Sequence, residues 1–108
     1  MKNVRKLVDR DVRPLESLRG CAAFDCMEKL NAGEKLSREE KNRLNTDHGH
    51  VRVGGWDFNF SPYMNVYIVK LKYYGWQEIR AFDKTHARNN AGYYPPSYVL
   101  KIIELSGD

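Results

Sequence analysis

Apolar positions change their period near residue 50. Before it, Leu15, Leu18, Ala22, Cys26 and Leu30 recur at intervals of three and four, drawing one stripe along a helix. Pro14 suits the first turn of that helix and Gly33 its C-terminal stop, while Gly20 inside it costs about 1 kcal/mol. Ser37 and Glu40 have the spacing of a capping box, and the Arg-Glu-Glu-Lys-Asn-Arg-Leu run predicts a second short helix ending near Asn45. Residues 14–46 therefore read as an αα-hairpin. Ahead of it, Val4, Leu7, Val8 and Val12 lie near helical spacing among Lys2, Arg5, Lys6, Arg10 and Arg13, which predicts a short helix or a basic arm over 1–13.

From residue 50 the period is two. Val51-Arg-Val53, Gly54-Gly55 and Trp56-Asp-Phe58 predict a tight hairpin with Val53 opposite Trp56, Val51 opposite Phe58 and Arg52 opposite Asp57, because paired glycines tolerate the positive φ angles of a two-residue turn. The longest strand, Asn65 to Tyr74, is followed by a strand around Gln77 to Asp83. A two-residue turn at Tyr74-Gly75 would oppose Leu71 to Glu78 and Val69 to Arg80, burying charge. A three-residue turn at Tyr74-Gly75-Trp76 opposes Leu71 to Ile79, Val69 to Ala81, Lys72 to Glu78 and Ile68 to Phe82, and its cleaner separation of faces selects it. Residues 84–97 read as a long loop, and Tyr98 to Leu105 as a last strand, with a helix capped by Ser97 as the competing reading.

The predicted fold is α+β: an N-terminal αα-hairpin packed on a mostly antiparallel, meander-like β-sheet of four to five strands within residues 50–105. At about 150 residues per domain, 108 residues fit one domain, 1–108, with one core. A hydrophobic share of 42% and a charged share of 30% exclude collagen-like, low-complexity and fully disordered chains. No apolar run approaches the ~20 residues of a membrane span. The charged N-terminus lacks the apolar stretch of a signal peptide, so the expectation is a cytoplasmic protein with no membrane partner. Cys21 and Cys26 point ~140° apart on a helix, against a mutual disulfide, and read as free thiols.

The net charge of +4 favours nucleic acid (RNA or single-stranded DNA) or an acidic protein surface as partner, and argues against a DNA mimic. A helix-turn-helix reader is disfavoured because Glu39 and Glu40 occupy the helix start that would face phosphate. Of the Phe, Tyr and Trp residues, Phe24 alone lies in the first half of the chain. In the selected register Tyr67, Val69, Leu71, Tyr73, Ile79 and Ala81 form a core face. Lys70, Lys72, Tyr74, Trp76, Arg80 and Phe82 share the other face or its rim with Ile68, and Lys84 and Arg88 follow in the loop. Cations interleaved with aromatics on an open sheet stack bases and meet phosphates, which makes these eight the candidate nucleic-acid site. Under this reading the chain is a small non-enzymatic binding protein of the type found among phage or mobile-element accessory proteins.

A second reading takes Trp56, Tyr63, Arg88, Tyr93 and Tyr94 as anchors of a protein-binding inhibitor or adaptor that blocks a nucleic-acid-processing complex, possible because Trp, Tyr and Arg dominate interface energetics. A third is a metal-independent endoribonuclease drawing on His48, His50, His86, Arg52, Arg88 and a tyrosine as base, acid and phosphate stabilisers. Asp47-His48-Gly49-His50 lacks the further convergent ligands a metal needs, so no metal site, cofactor or catalytic residue is assigned. The segment His50-Val-Arg-Val-Gly-Gly-Trp-Asp-Phe58, after two helices and opening an antiparallel sheet, is faintly similar to the ribosome-dependent mRNA interferase toxins, which carry an Arg-Val-Gly-aromatic strand pattern. That resemblance covers about ten residues and rests on Arg52-Val53-Gly54. The family's opening strand before the helices is not predicted here, and Gly55 and Asp57 depart from its pattern, so membership is not assigned.

Overall fold

The computed structural model describes residues 2–8, 13–44, 48–90 and 94–105. Its strands are β1 (Val4–Lys6), β2 (His50–Val53), β3 (Trp56–Asn59), β4 (Asn65–Leu71), β5 (Gly75–Ala81) and β6 (Val99–Glu104). The helices are α1 (Ala22–Asn31), α2 (Arg38–Arg43) and α3 (Lys84–Asn89). The α+β class holds, but the expected single sheet is two antiparallel three-stranded sheets, ordered β1-β3-β2 and β5-β4-β6. Buried side chains divide the same way instead of forming one core. Phe24, Met27, Leu44, Phe58 and Phe60 fill the first cluster, and Tyr67, Val69, Leu71, Ile79 and Ala87 the second. Among the described residues, no helix is long and apolar enough to cross a membrane.

The N-terminal segment is neither helix nor loose arm. β1 pairs with β3 through Val4–Phe58, Arg5–Asp57 and Lys6–Trp56, placing Val4 against the first core. A period of two over three residues was hidden beneath the helical spacing of Val4, Leu7 and Val8; Val12 lies outside the described residues. The first predicted helix is also divided. Gly20 adopts φ 90°, and the chain forms a 3-10 turn at Leu15–Leu18 before α1 begins at Ala22. The Gly20 N–H then meets the Asp25 carboxylate at 3.2 Å, so glycine separates two short elements where a weakened single helix was expected. Downstream, the Ser37–Glu40 capping box forms in both directions, at 3.2 and 2.9 Å. Both cysteines are free, and burial pushes the Cys26 thiol up to about 11.

The Gly54-Gly55 hairpin has the expected register, Val53–Trp56, Arg52–Asp57 and Val51–Phe58, with φ 57° and 82° at the glycines. The second hairpin adopts neither of the two expected registers. Leu71 opposes Gly75, Val69 opposes Gln77 and Tyr67 opposes Ile79, around a turn at Lys72–Tyr74. Relative to the selected register, the partner strand has slipped by four residues. An even slip keeps every side chain on its own face, so Tyr67, Val69, Leu71, Ile79 and Ala81 are buried as expected while their partners differ. The slip also releases Phe82 from the sheet. In the expected loop, Asp83 accepts the His86 N–H at 2.7 Å and caps α3. The final segment is the strand β6.

Two halves meet at α2, α3 and the end of β5. Phe82 packs edge-on to Phe60 of the first core at 6.4 Å and stacks on His86 at 5.3 Å. His86, 2% exposed, commits both ring nitrogens to backbone. Nδ1 accepts from the Phe82 N–H at 3.1 Å, and Nε2 lies 3.2 Å from the Leu44 carbonyl oxygen, which fixes a neutral ring protonated on Nε2. Lys41 of α2 reaches the Asp83 carboxylate at 2.9 Å. Burial lowers the His86 pKa below its ordinary 6.5, against the opposing effects of the Leu44 carbonyl and Asp83. As pH falls below 6.5 the unfolded chain takes up a proton that the folded chain resists, so this contribution is complete above 6.5 and declines below it. Urea-unfolding midpoints measured from about pH 8 to about pH 5 should decline less in His86→Gln than in the wild type; equal slopes would remove His86 as the titrating group.

Candidate nucleic-acid interface

The tip of the β4–β5 hairpin is the turn Lys72-Tyr73-Tyr74. The Tyr74 N–H bonds to the Leu71 carbonyl at 3.3 Å, closing a turn whose second central residue, Tyr73, has φ 72°. That position normally favours glycine, because an L side chain there costs about 1–2 kcal/mol. Tyr73 is nevertheless 80% exposed, with the Lys72 ammonium 5.2 Å from its ring centroid. Tyr74 lies against Tyr94 at 4.4 Å and stacks over Tyr98 at 6.3 Å, and Tyr98 meets Tyr73 edge-on at 6.2 Å. The Lys72 N–H to Tyr98 carbonyl bond, 2.8 Å, ties this cluster to the start of β6.

Below the tip, register sets the rows of the open face. Trp76, Lys70 and Lys101 stand side by side across β5, β4 and β6, followed by Glu78, Ile68 and Ile103. The Lys70 ammonium is 5.8 Å from the centroid of a Trp76 ring, and Trp76 is half exposed. Arg80 stands opposite Val66 further along the same face, partly buried. α3 packs on the second core, against the opposite face of the sheet, through Ala87.

The structure thus brings Lys70, Trp76 and Arg80 onto one face, with Lys72 and Tyr74 at its tip. Phe82 does not join them, being packed against the first core and His86. Lys84 and Arg88 are not loop residues beside the platform: they project from α3 and line a cleft with Lys101 at the β6 edge. Three further contributors carry no sequence signal for this site. Tyr98 and Lys101 fit the pattern of a final strand, and strict alternation continued through the turn puts Tyr73 on the core face.

The alternative protein-binding set is not gathered. Trp56 and Tyr63 pack against the first core and Tyr94 against the second, while Tyr93 lies outside the described residues. Trp56 Nε1 donates to the Arg13 carbonyl at 2.9 Å, and the Tyr63 hydroxyl donates to Asn31 at 2.8 Å, both structural uses of their polar atoms.

The histidines are likewise held apart. His50 Nδ1 bonds the nearly buried Asp57 carboxylate at 2.9 Å on the outer face of the first sheet, next to Arg52. His48 is exposed, and His86 is enclosed at the junction with both nitrogens occupied, so a His50–His86 acid–base pair does not form. Among the described residues, no group of His, Cys, Asp and Glu is arranged to hold a metal ion. Comparison with family models, curated proteins and solved structures finds no match to the chain.

The strained turn yields a stability test. Replacing Tyr73 by glycine removes the Tyr98 edge contact and the Lys72 contact, each worth about 0.5–1 kcal/mol at an exposed site, and relieves about 1–2 kcal/mol of backbone strain. Tyr73→Gly should therefore shift stability by less than about 1 kcal/mol in either direction, read from the urea midpoint. A fall of more than about 1 kcal/mol would show that the ring is held for stability.

Proposed function

We propose that the protein binds single-stranded nucleic acid, RNA or single-stranded DNA, through the tyrosine tip and open face of its second sheet, without catalysing a reaction on it. The observation that carries this reading is Tyr73, exposed and beneath the Lys72 ammonium in a backbone conformation that glycine would occupy at lower energy. Strain retained at an exposed aromatic ring points to use of that ring. Tyr73, Tyr74 and Trp76 supply sequence-tolerant stacking surfaces, and Lys70, Lys72 and Lys101 supply phosphate contacts beside them. An accessory protein of a phage or mobile element remains the biological type that suits this reading.

A second reading has a specific observation in its favour. Ile103 and Leu105 are 40% and 56% exposed, Ile103 stands in one row with Ile68, and a contiguous apolar strip of this kind suits a protein partner, as in an inhibitor or adaptor.

Fluorescence anisotropy with labelled single-stranded RNA separates the two. Nucleic-acid binding should weaken steeply with salt, and Trp76→Ala and Tyr73→Gly should each lose about 1–3 kcal/mol of affinity, the range for one stacked base. Lys70→Ala should also reduce the slope of log affinity against log salt by about 0.7, the increment for one phosphate on a single strand. Unchanged binding in both aromatic variants overturns the assignment of this face; no binding by the wild type overturns the function.

A further inference from the structure

Strand β6 is an outer edge of the second sheet. The Leu105 N–H donates to the Val66 carbonyl at 2.8 Å, and along an antiparallel ladder inward-bonding residues alternate with outward-facing ones. In that phase Ile103 and Lys101 also turn their backbone groups toward β4, while Ile102 and Glu104 present theirs to the outside. A cleft of about 350 Å³ runs beside this edge, lined by Lys84, Thr85, Arg88, Leu100, Lys101 and Ile102. Lys84 and Arg88 are four residues apart on α3 and so stand on one side of it. Among the described residues, no carboxylate lines the cleft, and Lys84, Arg88 and Lys101 enter no ion pair.

We propose that β6 accepts an extended acidic segment of a partner protein as a fourth strand of the second sheet. Main-chain pairing with Ile102 and Glu104 supplies register, the three cations select acidic side chains, and exposed Leu100 offers an apolar contact at the rim. Two other occupants fit less well. A phosphate chain offers acceptors to the outward N–H groups but no donors to the outward carbonyls, whereas a peptide strand offers both. A second copy pairing β6 to β6 would align Lys84, Arg88 and Lys101 of both chains along one seam, with Glu104 the one opposing charge on the strand. The inference goes beyond the nucleic-acid reading, since it uses the backbone edge of β6 and the cations of α3, shares only Lys101 with the open face and leaves the tyrosine tip unused.

The test is selection of binders from a displayed random dodecapeptide library with the full chain as bait, followed by amide-shift mapping of the enriched peptides. Enriched sequences should be rich in Asp and Glu and should perturb the Ile102 and Glu104 amides. Affinity should fall at least about tenfold in Lys84→Glu/Arg88→Glu, with folding checked by circular dichroism. Glu104→Pro, which removes an outward N–H at an exposed position, should weaken binding similarly, whereas Trp76→Ala should leave it intact even where RNA binding is lost. Enrichment without acidic bias, or mapping away from β6, overturns the proposal. So does dimerisation abolished by Glu104→Pro, which gives the edge to a second copy. Perturbation of the same amides by a single-stranded oligonucleotide, with no acidic peptide enriched, gives it to nucleic acid and overturns the proposal equally.

Discussion

Two small sheets with separate cores become one structure through the imidazole of His86. Where the two halves meet, a neutral ring sits between the Phe82 N–H and the Leu44 carbonyl, with Phe82 stacked on it and reaching Phe60. A neutral imidazole suits this place because it carries one donor and one acceptor on opposite sides, matching one backbone carbonyl and one backbone N–H. An aliphatic side chain of similar volume would fill the space and leave both backbone groups without these partners, at about 1–3 kcal/mol for each if water could not replace them. The same residue begins its work locally, since its own N–H completes the Asp83 cap of α3.

Much of the architecture was legible wherever local chemistry admits one solution. Gly54-Gly55 dictates a tight turn, and the pairs on either side agree with it; Ser37 and Glu40 cap each other whatever the remainder of the chain does. Long-range choices were legible only in part. Alternation in β4 and β5 identifies the core face, but a slip of four residues leaves that alternation intact, so periodicity cannot choose between registers two pairs apart. What decides is the fate of Phe82, which serves the structure better at the junction than opposite Ile68, and that benefit depends on Phe60 and His86 in other elements. β1 was hidden for a similar reason: a three-residue strand has too few positions to display its period, and its evidence is the partner β3.

The open face was legible as a composition of lysine, arginine, tyrosine and tryptophan, and its most informative member was not. Tyr73 continues a strand pattern, and no propensity argument places a tyrosine at φ 72°. Its position follows from closure of the turn at Gly75. Once closed there, the turn carries Tyr73 and Tyr74 outward together, and Tyr94 and Tyr98 shelter the second of them. A tip that needed only to turn would favour glycine or asparagine at residue 73. Tyrosine at that place costs backbone energy and exposes a large ring, and both costs are consistent with a surface kept for contact.

Net charge contributes less to this surface than the pattern of pairing does. The +4 of the chain is small and divides equally between residues 1–50 and 51–108. Four acidic residues of the first half and the junction are paired internally: Glu28 faces Arg19, Glu40 faces Lys29, Asp57 faces His50 and Asp83 faces Lys41. The Lys29 ammonium, with the Ser37 N–H, holds the Glu40 carboxyl down to about 2, so this pairing persists well into the acid range. Among the described residues, Lys70, Lys72 and Lys101 of the second sheet and Lys84 and Arg88 of α3 enter no such pair. The cations of the second sheet and α3 are thus left to act outward, with exposed Glu78 and Glu104 as the carboxylates beside them. A weakly basic chain acquires a locally basic surface this way, and the field a partner meets is set by which carboxylates are already engaged.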